Sequence, residues 1–352
     1  MQGASAEVSL ASPAPAALRL RIAEIDLQIA SADAALLEEL DGRYGDCRAH
    51  ATAEPGLRCD ATRTRDGAFL QLEFAGKGLP DPFDSATTPF LVLRHLQGRV
   101  VHDRPEPGWR ALVREGDPAH VLLAGDATHL LVRLDDKTRD LAVDCLIALA
   151  LRAQPHLLFL HAASFAIAGR GALLVGPAKS GKSSTVLALA SRGHDFLGDD
   201  LAPVRPASAE LLAFPKSAGL RESRQATELI GRARAFRAVP GTGIDGIPRS
   251  YARVGDMFPA SRGGPRVLDS VFLLDGFAQQ ASLRPYRPHL KDVQRLRAAV
   301  SESVPGWGHS AGEDLLKFLR VIDLLSQARC YLLSVGSLDQ TATLIEQAMG
   351  SP

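Results

Sequence analysis

The sequence predicts an α/β protein with two domains, and three observations lead to this prediction. An apolar run at residues 172–175 leads into a glycine-rich turn and then into an apolar stretch at helical spacing, which is the pattern of a strand, a loop and a helix. Two adjacent acids, Asp199 and Asp200, begin seventeen residues after Lys182. Short apolar runs separated by Pro and Gly fill residues 18–153 and indicate a smaller, strand-rich α+β domain.

Composition divides the chain into a tail and the two domains. Residues 1–17 are rich in Ala, Ser and Pro and predict a disordered tail. The strand-rich domain covers residues 18–153, and residues 154–352 form the domain that carries the glycine-rich turn. Within it, residues 221–266 are rich in Arg, Gly and Pro and weakly periodic, so we expect a mobile loop that closes over a substrate. An ordinary solvated surface is the alternative for this arginine-rich segment.

Alternation of apolar and polar residues predicts the strands of the N-terminal domain, and helical spacing predicts its helices. The predicted strands are residues 18–22, 68–74, 90–94, 121–123 and 130–133. The predicted helices are residues 33–44 and 137–153, and Asp135 and Asp136 are candidate caps of the second helix. We expect this domain to present a substrate or to form a contact in a homo-oligomer.

The second domain shows strands and helices in turn. Residues 157–160 predict a buried strand that ends at His161, and residues 162–175 predict a hairpin whose second strand leads to the glycine-rich turn. A short helix follows, and Gly193 suits the left-handed residue that ends it. The remaining predictions are a helix at 183–191, strands at 195–198, 267–274 and 331–334, and helices at 290–300, 311–326 and 337–349.

The glycine-rich turn predicts a binding site for the phosphates of a nucleotide. Unpaired backbone N–H groups and the positive end of the helix dipole converge on one anion where such a turn opens a helix. Lys182 can reach the terminal phosphates of ATP, and the Ser183 hydroxyl can ligate Mg²⁺. A strand-to-helix turn with an incidental lysine is the alternative. The candidate nucleotide-binding residues are Gly176, Pro177, Ala178, Lys179, Ser180, Gly181, Lys182, Ser183 and Ser184.

The two acids are placed where they can face these phosphates. A right-handed strand–helix–strand unit returns the carboxyl end of its second strand to the edge that carries the loop. One carboxylate can then hold Mg²⁺ while the other accepts the proton of an attacking hydroxyl. We assign the base to Asp199, and the metal contact to Asp200 together with Ser183. A solvated turn or a helix cap is the alternative for the acid pair.

His161 is a weaker candidate on the residues alone. It lies near the nucleotide only if the strand before it runs alongside the loop strand, which periodicity does not show. On these residues alone, a core histidine bonded to the backbone is therefore the favoured interpretation.

The stretch from His161 to Asp200 resembles the catalytic core of HPr kinase/phosphorylase and its related kinases, whose fold is akin to that of ATP-dependent phosphoenolpyruvate carboxykinase. In that family a histidine stands fifteen residues before the first loop glycine, as His161 does before Gly176. The Arg-Gly-His turn at 192–194 and the acid pair match the family in register without a gap. The resemblance implies a P-loop core of this type, with His161 lining the site and an acid of the pair as base toward a seryl hydroxyl.

The chain also departs from that family. Ala178, Lys179 and Ser180 stand where the family commonly has a small residue and a glycine, and Ser184 replaces an acidic residue. The chain has no counterpart of the family's Glu-Ile-Arg-Gly stretch. These departures argue against phosphorylase activity and against the phosphocarrier HPr as substrate. They favour the related kinases that accompany peptide-modification or exopolysaccharide systems.

A basic segment follows the acid pair. Residues 214–216 read Phe-Pro-Lys, and Leu220 and Arg221 follow shortly after, as in the related kinases that this chain resembles. Lys216 or Arg221 could clamp the phosphoryl group during transfer. A solvated basic turn is the alternative.

Composition indicates a globular protein of the cytoplasm. The chain has 352 residues, 46% of them hydrophobic, and its 40 basic and 40 acidic side chains give no charge excess that would suggest nucleic acid. No apolar stretch is long enough to span a membrane, and the first residues lack an export signal. The cysteines are few and scattered, so we expect reduced thiols; they are Cys47, Cys59, Cys145 and Cys330.

Together these motifs predict an ATP-dependent kinase that uses Mg²⁺ and transfers the γ-phosphoryl group to a hydroxyl. We favour the serine of a peptide or protein as acceptor. Two alternatives stay open: a small-molecule kinase that acts on a free amino acid or a sugar, and a regulatory module that binds ATP without transfer. The candidate catalytic residues are His161, Lys182, Asp199 and Asp200.

Overall fold

The computed structural model describes residues 16–49, 54–76, 79, 98–102, 109–114, 117–126, 128–134, 141–242, 248–289 and 311–350. Over these ranges the protein is a mixed α/β structure with three β-sheets, of eight, nine and three strands.

The eight-stranded sheet is built from the N-terminal part of the chain. Its strands are β1 (Ala16–Ile22), β2 (Ile25–Ser31), β3 (Leu57–Arg63), β4 (Phe69–Gly76), β5 (Gly98–His102), β6 (Arg110–Arg114), β7 (Asp117–Gly125) and β8 (His129–Arg133). Their order is β1-β2-β3-β4-β8-β7-β6-β5. All neighbouring pairs are antiparallel except β2 and β3, which are parallel.

The nine-stranded sheet carries the glycine-rich loop, residues 176–181. The later strands are β9 (Leu158–Leu160), β10 (Ala163–Ile167), β11 (Arg170–Val175), β12 (Asp195–Gly198), β13 (Ala202–Arg205), β14 (Glu210–Leu211), β15 (Ala218–Leu220), β16 (Ala238–Thr242), β17 (Pro248–Ala252), β18 (Arg266–Phe277), β19 (Ser282–Pro285) and β20 (Arg329–Val335). The nine-stranded sheet follows the order β12-β10-β11-β18-β14-β13-β9, and β20 and β19 extend it from β18. Strands β15, β17 and β16 form the small sheet.

Seven α-helices lie in the described ranges. They are α1 (Ala34–Tyr44), α2 (Leu141–Arg152), α3 (Lys182–Ser191), α4 (Arg224–Arg232), α5 (Val254–Met257), α6 (Ala311–Gln327) and α7 (Leu338–Gly350). Asp33 caps α1, because its carboxylate accepts hydrogen bonds from the N–H groups of Ala35 and Leu36. Gly193 follows α3 with φ 89°, the left-handed conformation expected at this stop. None of these helices combines the length and apolarity needed to cross a lipid bilayer.

The structure confirms most predicted elements and adds others. Strands at 18–22, 68–74, 121–123, 130–133, 195–198, 267–274 and 331–334 and helices at 33–44, 183–191, 311–326 and 337–349 overlap observed elements. Strand β1 begins at Ala16, so two residues assigned to the tail belong to a sheet, and the sequence did not predict β2, β3 or β6. The predicted helix at 137–153 overlaps α2, whereas the caps Asp135 and Asp136 lie outside the described residues. The predicted strand at 90–94 and helix at 290–300 also lie outside them.

Residues 221–266 differ from the irregular loop that the sequence led us to expect. Their described part contains α4, which Ser223 caps by accepting from the Ala226 N–H, strands β16 and β17, and α5. Strand β17 pairs with both β15 and β16. These elements span four to nine residues, too short for periodicity to reveal them. Leu229 and Val254 are buried in a core shared with α3. Whether the segment moves as a substrate lid stays a prediction.

The nine-stranded sheet, called the central sheet below, is covered by helices on both faces. Alternate residues of its strands point to opposite sides: Leu174 and Phe272 share a core with α3 and α7, whereas Leu173 and Leu273 share one with α6. The helix after the glycine-rich loop therefore packs against both the sheet and α7. Packing on this scale fixes the helix axis, and with it the direction of the first-turn N–H groups.

The N-terminal part and the central sheet are joined at the end of α1. The Ser217 N–H donates to Arg43 O at 2.6 Å, and the Ser217 hydroxyl donates to Gly42 O at 2.6 Å. Tyr44 packs on Phe214 with ring centroids 6.0 Å apart, and both lie in one core with the eight-stranded sheet. The last carbonyls of α1, which have no partner inside the helix, are thus satisfied by the segment that carries Lys216.

The Arg-Gly-His turn after α3 binds the C-terminal helix. Arg192 donates to Glu346 Oε2 at 2.8 Å and to Asp339 Oδ1 at 2.9 Å, and His194 Nε2 lies 2.7 Å from Glu346 Oε1. Arg232 of α4 also donates to Asp339. The turn therefore anchors α7 against α3, which is a structural role.

Arg192→Ala should lower the free energy of unfolding by about 2 kcal/mol, because several charge-assisted hydrogen bonds to α7 are lost at a partly exposed site. Urea denaturation followed by circular dichroism measures the change. Arg224→Ala is the matched control, since Arg224 is exposed and has no ion pair among the described residues. Equal effects of the two substitutions would contradict the anchoring role.

Candidate functional site

The glycine-rich loop joins β11 to α3 at the carboxyl edge of the central sheet. Strand β11 ends at Val175 and α3 begins at Lys182. Gly181 is the N-cap with φ 98°, a left-handed conformation, and no side chain caps the helix. The first-turn N–H groups therefore have no intrahelical or side-chain acceptor at the cap, which leaves them available to an anion.

Gly176 is required by close packing. A Cβ atom at this position would lie 2.7 Å from Ser180 Oγ and 2.9 Å from Leu274 Cβ. Both distances are below ordinary van der Waals contact, so a larger residue would displace the loop from the neighbouring strand. Gly176 is therefore needed because a side chain would have no space, whereas Gly181 is needed because of its left-handed backbone conformation.

Lys182 is buried inside the loop that it follows. Its side chain donates from Nζ to the carbonyl oxygens of Gly176 at 2.8 Å and Pro177 at 3.0 Å, and the residue is only 6% exposed. Burial lowers the pKa of Lys182, while the carboxylates of Asp200 and Asp199 act in the opposite direction. The lysine therefore places a desolvated cation at the base of the loop.

Strand β12 brings the acid pair to the same edge. Strands β11 and β12 are both antiparallel to β10, so they run in the same direction and their carboxyl ends coincide. They are not neighbours, as a simple strand–helix–strand unit would make them, because β10 of the preceding hairpin lies between them. The hairpin itself was predicted, but its insertion between the two parallel strands was not.

Asp199 faces the loop and is buried. It is 7% exposed, and the nearby Ser183 hydroxyl lowers the pKa of its carboxyl group. Its Oδ1 atom has no hydrogen-bond partner. Burial raises the pKa of Asp199 to about 6, against the nearby Lys216 ammonium, which lowers it, and with the charge of Asp200, which raises it further. Ser183 at the start of α3 and Asp199 after β12 therefore lie close to each other.

The Asp200 carboxylate is more exposed to solvent than that of Asp199, and it contacts two basic side chains. Lys216 Nζ donates to its Oδ2 atom, and His161 Nδ1 lies 3.3 Å from its Oδ1 atom. The Lys216 ammonium lowers the pKa of Asp200 well below its ordinary value, against the effect of burial. The side chain is 48% exposed, so solvent weakens these ion pairs, but the carboxylate is ionised throughout the neutral range.

His161 lies between β9 and β10, at the end of β10 that is beside the loop strand. The side chain is largely buried, and Nδ1 makes no hydrogen bond of good geometry. Burial lowers the pKa of His161; the Asp200 carboxylate opposes this, and Lys182 and Lys216 add to it. The structure thus brings His161 beside the acid pair, which the residues alone did not indicate and the family resemblance did.

Lys216 completes the acid–lysine cluster, which consists of Lys182, Asp199, Asp200, Lys216 and His161. Burial opposes its charge, but the carboxylates of Asp200 and Asp199 raise its pKa, with a smaller contribution from Tyr44 of α1. Arg221, the other candidate clamp, follows β15 in the small sheet. Its role as a clamp stays a prediction.

Several polar atoms in and around the loop are buried without a partner. They include Ser180 Oγ and Thr185 Oγ1 in addition to Asp199 Oδ1. Hydroxyl donors and free helix N–H groups suit phosphate oxygens, and a carboxylate beside a serine hydroxyl suits Mg²⁺. No group of three or more His, Cys, Asp or Glu in the described ranges could hold a metal alone.

The sequence did not indicate three residues near the site, and the first of them is Phe277. Phe277 ends β18, and its ring lies against the loop at Gly181. The signal that could have found it is the glycine before it, Gly276, at the end of a predicted strand parallel to the loop strand. Tyr44 and Cys47 were also missed, because their distance from the loop along the chain hides their proximity to Lys216.

No protein-family model and no curated protein matches the chain. Among solved structures, the HPr(Ser) kinase/phosphatase from Coxiella burnetii matches with a TM-score of 0.22 and 19% sequence identity. The match covers 47% of this chain and 94% of that chain. The likeness is weak.

Gly176→Ala should lower the free energy of unfolding by about 1–3 kcal/mol, because its methyl group would overlap Ser180 and Leu274. Gly231→Ala in α4 is the matched control, since a Cβ there meets no atom within 4 Å, and it should leave stability unchanged or raise it. Chemical denaturation of both variants checks this. Equal stability of the two variants would rule out the tight packing at Gly176.

Asp199 should titrate near pH 6 in the free protein. Since its folded pKa lies above the ordinary 3.8, protonation stabilises the fold, and this contribution is lost as the pH rises through about 6. Infrared difference spectra of the parent against Asp199→Asn should show a protonated carboxyl band at pH 5 that disappears by pH 8. Asp200→Asn should shift this titration to lower pH, because one neighbouring negative charge is gone. Absence of the band at pH 5 would exclude the raised pKa.

Proposed function

We propose that this protein is an ATP-dependent kinase that transfers the γ-phosphoryl group of ATP to a hydroxyl, with the serine of a peptide or protein as acceptor. The observation that carries the proposal is the position of the buried Asp199 beside the first turn after the loop, where its charge acts on Lys182 and the Ser183 hydroxyl acts on its carboxyl group. It supports the placement of a phosphate-binding loop and a proton acceptor in one site. The chain would then have a P-loop core of the HPr kinase and phosphoenolpyruvate carboxykinase type.

Binding of ATP depends on the loop and α3. The free N–H groups at the start of α3 can donate hydrogen bonds to phosphate oxygens, and Lys182 can exchange its bonds to Gly176 O and Pro177 O for bonds to the terminal phosphates. Such an exchange is favourable because a phosphate oxygen carries a full charge and a carbonyl does not. The buried hydroxyls of Ser180 and Thr185 would gain partners in the same step.

The residues of the site also suit a magnesium ion that binds together with ATP. Ser183 and Asp200 are the ligands we propose, and the metal would neutralise charge on the phosphate oxygens when bound. Asp200 suits this role because its pKa is lowered and it stays ionised. Lys216, which now pairs with Asp200, would be released toward the transferred phosphoryl group.

Asp199 is the proposed base. Its pKa of about 6 lies close to neutral pH, where a general base is most effective, and its Oδ1 atom is unpartnered and can accept the proton of the attacking hydroxyl. One observation favours the reverse assignment: Ser183, the proposed metal ligand, lowers the pKa of Asp199 and does not act on that of Asp200. The two assignments predict different kinetic defects.

The acceptor is proposed from the family resemblance and not from a pocket. Departures from the bifunctional enzymes at Ala178–Ser180 and Ser184 favour a related kinase that serves a peptide-modification or exopolysaccharide system. A kinase for a free amino acid or sugar, and an ATP sensor without transfer, are the competing functions. Incubation with labelled ATP, candidate peptides and free serine, followed by mass spectrometry, separates all three. Binding of ATP without any phosphorylated product would support the ATP sensor and exclude both kinase functions.

Lys182→Ala should abolish phosphoryl transfer and weaken ATP binding, because the loop loses the cation that meets the terminal phosphates. Rates should fall by at least about 100-fold, as expected for loss of a preorganised charge. The loss of its bonds to two loop carbonyls should cost some stability, so circular dichroism must first show a folded variant. A folded variant with the parental rate would refute the kinase assignment.

Asp199→Asn and Asp200→Asn should have different defects. Loss of the base should lower kcat by about 100-fold or more without changing the magnesium requirement. Loss of the metal ligand should raise the Mg²⁺ concentration needed for half-maximal activity. Mg²⁺ titrations of both variants at saturating ATP measure this, and the opposite pattern would reverse the roles of the two acids.

A further inference from the structure

Phe277 is a large apolar side chain left exposed beside the glycine-rich loop. It is 60% exposed, yet its Cε1 and Cζ atoms lie 3.4 and 3.5 Å from the position of a Cβ on Gly181. Val335 Cγ1 lies 3.5 Å from the same position. One edge of the ring thus contacts the end of the loop, while most of the ring is open to solvent. Exposed aromatic surface of this kind is available for a flat, apolar ligand surface.

The backbone holds the ring in this direction. Strands β18 and β20 pair in parallel, but their register shifts between Leu274 and Phe277. Gly276, inside the shift, has φ 90°, a conformation that favours glycine. Beyond the shift, the Ala278 N–H donates to Val335 O at 2.8 Å. A bulge of this type turns a side chain in a new direction and is often found next to a functional site.

The ring and the acids lie on opposite sides of the loop strand. Strands β10 and β12 are on one side of β11, and β18 is on the other. Asp199 and Asp200 follow β12, whereas Phe277 ends β18. A nucleoside triphosphate has its terminal phosphate at one end and its nucleoside at the other. With the terminal phosphate facing the acids, the nucleoside leaves the loop on the β18 side.

We propose that Phe277 forms the stacking surface for the base of the bound nucleotide. The inference rests on the proposed function, because it takes the glycine-rich loop as the phosphate site. The ring gives affinity for the base without touching the reacting phosphoryl group. Stacking is tolerant of base identity, so Phe277 strengthens binding of ATP and GTP alike.

The test compares ATP with inorganic tripolyphosphate, which has the phosphates but no base, by calorimetric titration of the full chain with Mg²⁺. Phe277→Ala should weaken ATP binding about tenfold, the usual range for one base–aromatic contact. The same variant should leave tripolyphosphate binding unchanged. Phe277→Trp should restore ATP binding, and its fluorescence should respond to ATP and not to tripolyphosphate.

Val267→Ala is the matched control. Val267 is 61% exposed and lies near the start of the same strand, β18, so it tests loss of exposed apolar surface away from the loop. It should bind both ligands as the parent does. Unchanged ATP binding in Phe277→Ala, or equal losses for ATP and tripolyphosphate, would overturn the stacking role.

Failure of this inference can be told apart from failure of the proposed function. A parent protein that binds ATP but phosphorylates nothing would remove the kinase proposal, and the stacking comparison would still be decided by binding alone. A parent protein that binds neither ATP nor tripolyphosphate would overturn both. Normal kinase activity with no effect of Phe277→Ala on ATP affinity would overturn the stacking role only.

Discussion

The electrostatic interaction between the buried Asp199 carboxyl group and Lys182 joins the two halves of the site, and the remaining features depend on it. It links the first turn of α3 to the end of β12, so the free N–H groups and the acids open onto the same space. Burial of the Asp199 carboxylate costs free energy because the charge loses its hydration, whereas burial of an apolar side chain has no such cost. That cost is offset by two ammonium groups, Lys182 from the loop and Lys216 from the opposite side.

Charge balance accounts for the different states of the two acids. Asp200 pairs directly with Lys216 and stays ionised, whereas Asp199 is deeper and takes up a proton near pH 6. Two chemically identical side chains, adjacent in the chain, are thus separated by burial and by one ion pair. A difference of this kind allows neighbouring carboxyl groups to serve as metal ligand and as base.

The sequence predicted the local parts of this site and not their long-range partners. The loop, the short helix and the strand before the acids span residues 172–198, and each has a local signal in glycine, apolar periodicity or capping. The insertion of β10 between β11 and β12, and the burial that distinguishes Asp199 from Asp200, depend on tertiary contacts that no local pattern contains. The Arg-Gly-His turn was linked to the catalytic family, but the structure gives Arg192 and His194 the task of holding α7.

The hydrogen bonds between α1 and Ser217 have a consequence for the acid–lysine cluster. Ser217, the residue after Lys216, donates to two carbonyls that belong to the N-terminal part, Gly42 O and Arg43 O. Removal of that part would leave the backbone next to Lys216 without these two acceptors. The N-terminal part therefore helps to position a residue of the cluster, although it lies far from the glycine-rich loop along the chain.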